Sequence, residues 1–322
     1  MSGEDRKGRK VAVVGAGAVG ATFCYALAQS GLSDEIAIID QNHDLAHGQA
    51  LDLAHGQAFF PPVRIHAGDS GDYADANVVV MTAGAKQNPG ETRLQLLRKN
   101  ASIIAEVTGD IVRTGSRAVL IVVSNPVDVL TYVAARETGW ERGRVLGSGT
   151  VLDSARFRSL LSQHCEIDAH NVHGYILGEH GDSEYAAWSM THVAGMQIDE
   201  YCPVCGKCSD WMAERKTIEQ QVRDSAYHII DYKGATCYAI GLAMVRIIGA
   251  VLRGEKSVLT VSAMLDGEYG LTDVCLSVPC IVSEQGIERV VEANLSPEEA
   301  RALSSSAAVL KAVIADLDRV TQ

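Results

Sequence analysis

The first half of the chain alternates short, nearly continuous apolar runs with helical stretches. Lys10–Val14, Glu35–Ile39, Arg64–His66, Asn77–Ala83 and Ala118–Ser124 are rich in Val and Ile. Runs without a polar residue at every second position are the pattern of strands covered on both faces. Helical stretches lie between them, among them Val19–Ser30, which Gly31 closes at a C′ position. Such alternation predicts parallel strands joined by helical crossovers, hence an α/β, doubly wound parallel sheet. The fragment Leu-Ala-His-Gly-Gln-Ala occurs at Leu45–Ala50 and again at Leu53–Ala58. That spacing is far below a solenoid period and reads as successive turns of one helix.

The second half changes character. Helical patterns at Leu152–Ser162 and Ala213–Arg253 flank alternating runs at Ser257–Leu265 and Val274–Val282, with Asp266-Gly267 as a hairpin signal between the runs. Ser296-Pro297-Glu298-Glu299 announces a last helix with an N-cap, a Pro at N1 and a capping-box Glu. Leu303, Leu310, Ile314 and Leu317 form its apolar stripe. An α+β domain is therefore expected over 148–322, after an α/β domain over 1–147. The boundary is set near Gly147, where Gly-Ser-Gly interrupts the pattern.

Composition narrows the functional classes. Of 322 residues, 47% are hydrophobic, which supplies the apolar surface a disordered chain lacks. Lys plus Arg total 28 against 40 Asp plus Glu, a formal charge of −12, which argues against nucleic acid as a partner. The longest apolar run, Cys237–Leu252, is interrupted by Arg246 and falls short of the roughly 18 uninterrupted residues of a membrane span. It is expected to be a buried helix. The polar opening from Met1 to Lys10 carries no secretion signal, so the eight cysteines are expected to be reduced thiols of a cytoplasmic protein.

Val13-Val14-Gly15-Ala16-Gly17-Ala18-Val19-Gly20 closes a strand and opens a helix. In a Rossmann domain, Gly15 permits the tight turn, Gly17 lets the backbone approach a pyrophosphate, and Gly20 lets helix and strand pack closely. The phosphates would face free N–H groups of Ala18 and Val19 at the positive end of the helix. Asp40 ends the second strand, placed to accept hydrogen bonds from an adenosine ribose. Its charge would repel a 2′-phosphate, so NAD is the expected cofactor.

Five further segments, Lys86–Asn100, Ser124–Asp128, Asp153–Arg158, Gly178–Asp182 and Lys233–Tyr238, resemble the L-lactate/malate dehydrogenase superfamily in order along nearly the whole chain. Lys86-Gln87-Asn88-Pro89-Gly90-Glu91-Thr92-Arg93 is similar to its active-site loop, and Leu177-Gly178-Glu179-His180-Gly181-Asp182-Ser183 to its catalytic-histidine segment. The resemblance implies reversible reduction of pyruvate to (S)-lactate, with His180 as proton donor and acceptor. An imidazole suits that role because it titrates near neutrality. Asp153 would hold the imidazole and favour its protonated form. With burial opposing that support, the expected pKa is near or slightly above the reference of about 6.5. Arg156, three residues on along the same helical face, would fork onto the substrate carboxylate. Arg93 would polarise the carbonyl from a stretch able to hinge at Pro89-Gly90. Arg98 and Lys99 beside it read as a solvated face. Asn125 would lie near the nicotinamide and the substrate oxygen, in an Asn-Pro pair compatible with a cis bond. Thr236 would line the pocket beside the substrate tail.

In the family, malate enzymes carry Arg at the loop position held here by Gln87. A neutral Gln leaves a second substrate carboxylate desolvated and unpaired, which favours pyruvate over oxaloacetate. The resemblance further implies a homotetramer, and it matches Arg158 and His173 to the fructose 1,6-bisphosphate pair of activated bacterial enzymes. An exposed Arg and an interface His is the other reading of those two. Cys202, Cys205 and Cys208 have metal-like spacing, but structural zinc wants four ligands and only three are local. Reduced thiols without metal are expected, unless His192 or another subunit supplies the fourth.

Overall fold

Valine and isoleucine runs with no polar side need cover on both faces, and the fold supplies it. In the computed structural model, which describes residues 8–86, 90–207 and 209–319, the first half comprises β1 (Lys10–Val14), α1 (Ala18–Ser30), β2 (Glu35–Ile39), α2 (His43–His55), β3 (Arg64–Ala67), β4 (Val78–Met81), α3 (Arg93–Arg113), β5 (Val119–Val122), α4 (Val127–Thr138) and β6 (Val145–Gly147). These strands pair in parallel in the order β6-β5-β4-β1-β2-β3. Every residue of β1, β4 and β5 is buried. The chain reverses its direction of winding between β1 and β4, which opens a crevice at the carboxyl ends of those strands.

The second half begins with α5 (Val151–Cys165) and four short elements: β7 (Val172–His173), β8 (Ile176–Leu177), β9 (Tyr185–Ala186) and β10 (His192–Val193). It continues with β11 (Met196–Gln197), α6 (Ile198–Cys205), α7 (Trp211–Lys233), α8 (Tyr238–Arg253), β12 (Ser257–Asp266), β13 (Thr272–Ser283), β14 (Gly286–Val290) and α9 (Pro297–Asp318). The α9 capping box forms as expected: Ser296 Oγ accepts from Glu299 N at 3.2 Å, and Ser296 N donates to Glu299 Oε2 at 2.8 Å. Leu303, Leu310 and Ile314 are buried along its inner face.

Several details depart from the sequence pattern. β6 was not anticipated, because three residues carry no readable period. Its last residue, Gly147, pairs antiparallel with Ser262 of β12, so one nine-stranded sheet runs through both halves of the chain. A side chain at Gly147 would forbid that contact: a Cβ there would stand 2.4 Å from Thr131 Oγ1 and 2.8 Å from Ser262 Cβ. The helical pattern over 213–253 divides into α7 and α8 at Gly234, whose φ of 80° ends the first helix. α8 is buried on one face only, with Leu242 and Tyr238 exposed on the other. The hairpin turn is wider than a two-residue Asp-Gly turn and runs through a short 3-10 segment, Glu268–Gly270. A satellite core of Phe157, Leu161, Trp188, Ile218 and Val222 joins α5 to α7 beside the main one.

Candidate active site

The glycine turn between β1 and α1 is shaped by close approach. Gly15 has φ 104°, and a Cβ on it would meet Ala83 N at 2.7 Å and Thr82 Oγ1 at 2.8 Å. A Cβ on Gly20 would stand 1.9 Å from Gly15 O, so α1 packs on the turn only through a glycine. Gly17 differs: it is exposed and nothing lies within 4 Å of its Cβ position. It serves as the N-cap of α1 without a side-chain cap, leaving the N–H groups of Ala18 and Val19 at an unblocked helix end. Asp40 Oδ2 accepts from Ala16 N at 2.7 Å and Oδ1 from Asn42 N at 2.9 Å, which holds the carboxylate beside the turn. An open helix end, a small-residue floor and an acid at the tip of β2 fit a dinucleotide without a 2′-phosphate.

The reacting groups converge from five segments on a cavity of about 380 Å³. Its lining includes Arg93 at the start of α3, Asn125 before α4, Asp153 and Arg156 on α5, His180 and Glu184 after β8, and Arg223 and Tyr227 on α7. His180 Nδ1 donates to Asp153 Oδ2 at 2.6 Å, and Arg156 donates to Asp153 Oδ1, also at 2.6 Å. The i, i+3 spacing on α5 thus brings acid and guanidinium together as expected. Asp153 is 2% exposed, whereas the His180 ring keeps a quarter of its surface open to the cavity. That leaves the Nε2 side of the ring as the face able to meet a ligand.

Burial works against a charged imidazole, but the charge and hydrogen bond of Asp153, with Glu184 and Asp128 behind them, outweigh it and raise His180 to about 9. This exceeds the value expected from the sequence, because three acids surround the ring rather than one. Burial likewise pushes Asp153 up, and the charges of His180 and Arg156 pull it below the usual carboxylate range.

Two contributors were not singled out from the sequence. Asp128 Oδ2 accepts from His180 N at 2.8 Å and its Oδ1 from Ser262 Oγ at 2.5 Å, so it fixes the backbone that carries the histidine. Burial raises Asp128 to about 6. Its place in Ser124-Asn125-Pro126-Val127-Asp128 was the available signal, but an acid in the first turn of a helix is ordinarily a dipole partner. Glu184, 6% exposed, sits four residues after His180 with a carboxyl oxygen within 4.8 Å of a His180 ring nitrogen and an Asp153 carboxyl oxygen.

The remaining expected residues fall as follows. The Asn125–Pro126 bond is cis, and Asn125 O accepts from Asn100 Nδ2 at 3.1 Å. Thr236 lies between α7 and α8 and does not line the cavity; Ala226, Tyr227 and Ile230 of α7 stand there instead. Gln87 and Cys208 lie outside the described residues. Arg98 is not a freely solvated side chain, since its Nε is buried. Arg158 Nε donates to Ser154 O at 3.2 Å, and His173 is exposed on β7. Cys202 Sγ stands 3.6 Å from His164 Nε2, and Cys205 Sγ donates to Cys202 O.

Fold and cavity together fit a dinucleotide-dependent oxidoreductase, and comparison with known proteins agrees. Residues 9–147 match the family model described as lactate/malate dehydrogenase, NAD binding domain, and residues 150–320 the model described as lactate/malate dehydrogenase, alpha/beta C-terminal domain. The chain belongs to the lactate/malate dehydrogenase family. It is 61% identical over 315 residues to an L-lactate dehydrogenase of Treponema denticola, covering 98% of this chain and all of that one. It is 50% identical to an L-lactate dehydrogenase of Thermoanaerobacter pseudethanolicus, covering 96% and 99%. Among solved structures, a minor L-lactate dehydrogenase from Enterococcus mundtii in its ligands-bound form is 42% identical with a TM-score of 0.93, over 96% of this chain and 98% of that one.

Proposed function

We propose that the chain is an NAD-dependent L-lactate dehydrogenase that interconverts pyruvate and (S)-lactate. The observation that carries the reading is the unbroken chain Arg156–Asp153–His180, two 2.6 Å hydrogen bonds ending in an imidazole open to a cavity. Bound NADH supplies the hydride. His180 donates its proton to the carbonyl oxygen from the face opposite Asp153. Asp153 orients the ring and stabilises its charged form, and Asp128 holds the backbone beneath it. Arg156 takes the substrate carboxylate, and Arg93, at the α3 end of the active-site loop, stabilises the charge developing on oxygen. The α7 residues Ala226 and Ile230 give the substrate tail an apolar wall. Neutral Gln87 leaves no partner for a second carboxylate, so pyruvate is preferred over oxaloacetate.

Three finer expectations belong to the same reading. Exposed Tyr238 and Leu242 on α8, and Leu45 and Leu51 on α2, support assembly into a homotetramer. Arg158, which burial makes less basic and which lies near the like charge of Arg246, supports an anion site that would include His173 and take fructose 1,6-bisphosphate. Buried thiols at Cys24, Cys275 and Cys280 support a reducing, cytoplasmic setting. The deciding experiment is NADH oxidation on adding pyruvate, compared with oxaloacetate and longer 2-oxo acids. No oxidation, or faster oxidation with oxaloacetate, overturns the assignment.

A further inference from the structure

Glu184 is a buried carboxyl that the mechanism above does not use. Among the described residues, no hydrogen bond or ion pair reaches its side chain, although it lines the cavity with Arg93, Arg156 and His180. The groups that face it are Asp153 and Arg156 from α5, His180 from its own segment, and Arg223 from α7. Asp182 and Tyr227, joined at 2.8 Å, stand further along the same wall. Neither arginine pairs with its carboxyl, although the charges of both favour the ionised form from a distance. Arg156 is committed to Asp153, while Arg223 donates to the Glu184 backbone oxygen at 3.4 Å and to Gln220 Oε1 at 3.3 Å.

Taken with the dehydrogenase reading, on which this inference rests, that geometry has a consequence for binding. A substrate carboxylate arriving at Arg156 becomes a further negative charge beside Asp153, in a cavity from which it displaces water. An ionised Glu184 there would oppose it at short range and in low dielectric. We propose that Glu184 is the second proton-holding group of the site, so that pyruvate is bound and reduced productively only while His180 and the Glu184 carboxyl both carry their protons. Pyruvate then gains the hydride at its carbonyl carbon and the His180 proton at its oxygen, giving lactate, and Glu184 keeps its own proton throughout. Glu184 acts as a positioning residue through the charge balance around Arg156 and His180. Burial and the Asp153 charge outweigh the opposing charges of His180, Arg156 and Arg223 and raise it to about 8, so the neutral form is the one present at neutral pH. The two groups titrate as a pair, and the alkaline limb belongs to both.

The test is the pH profile of kcat/KM for pyruvate in the wild-type protein, Glu184→Gln and Glu184→Asp. The readout is the limiting slope, not the height. The wild type is expected to fall by about a hundredfold per pH unit at the alkaline end, the signature of two protons lost. Glu184→Gln is expected to fall by only about tenfold per unit, and Glu184→Asp to restore the steeper limb. A purely structural role would change the height and leave the slopes equal. Oxamate binding to the wild-type NADH complex, followed by NADH fluorescence against pH, checks the proton count without any variant. A one-proton dependence there, or wild-type and Glu184→Gln profiles of equal slope, overturns the proposal while the dehydrogenase assignment stands. Absence of pyruvate-dependent NADH oxidation in the wild type overturns both.

Discussion

The glycine turn and the proton site are built on opposite principles. The turn is contiguous from Gly15 to Gly20, and shape governs it: a Cβ at either end would collide with backbone, while Gly17 between them meets nothing. The proton site collects Arg93, Asp128, Asp153, His180, Glu184 and Arg223 from across the chain, and charge governs it. In the turn, one atom too many displaces the backbone. In the proton site, the atoms could stay where they are and a single change of charge would still silence it. The two sites should therefore fail differently: the turn through cofactor affinity, the proton site through pH dependence and substrate affinity.

The largest expected effect is His180→Gln, which keeps a polar side chain but removes the acid. Pyruvate kcat/KM should fall by about 10² to 10⁴, with NADH affinity within a few-fold of wild type in a fluorescence titration. A comparable loss of NADH binding would mean that the two sites are not separable.

Asp153→Asn comes next. With His180 raised to about 9, its protonated form is present throughout the neutral range, and its contribution to the alkaline loss of pyruvate reduction falls at that value. Removing the Asp153 charge leaves burial pulling the imidazole down. The limb should move to lower pH, which costs roughly tenfold at pH 8 and approaches about a hundredfold above pH 9 if it moves by about two units. A limb that stays in place in the pH–rate profile would uncouple Asp153 from His180.

Arg156→Lys should raise the pyruvate KM by about ten- to a hundredfold, because an ammonium keeps the charge but cannot fork between Asp153 and a substrate carboxylate. Steady-state kinetics with NADH saturating will show it, and an unchanged KM would place the carboxylate elsewhere. The smallest expected change is Gly20→Ala. Relieving a 1.9 Å contact with Gly15 O must displace the turn, and NADH should bind about tenfold more weakly. The alkaline limb for pyruvate should stay where it is. A limb that shifts with this variant would show that the turn also sets the electrostatics of the proton site.

Local pattern made much of this molecule legible. β1 and β2 begin and end where their apolar runs do, and α9 starts on its capping box. Gly31 closes α1 in the left-handed region because only a residue without Cβ adopts it cheaply. The pair Asp153 and Arg156 was readable because a helix places i and i+3 on one face. Beyond that reach, resemblance to a known family did the work: nothing in the spacing of His180 selects it among ten histidines.

Sequence by itself determined the layered α/β architecture, the dinucleotide turn and the acid that accompanies it, because each depends on residues within one helix turn or one strand–turn–helix unit. Only tertiary structure decided that Gly147 meets Ser262 to carry the sheet through both halves, since a close approach of two backbones leaves no periodic trace. It also decided that Asp128 holds His180, that α7 lines the cavity, and that Glu184 faces Asp153 without a partner among the described residues. These are contacts between distant stretches of chain, 52 residues apart for Asp128 and His180. Their strength depends on burial and on the sign of neighbouring charges. Both are properties of the folded interior, and no stretch of sequence carries them alone.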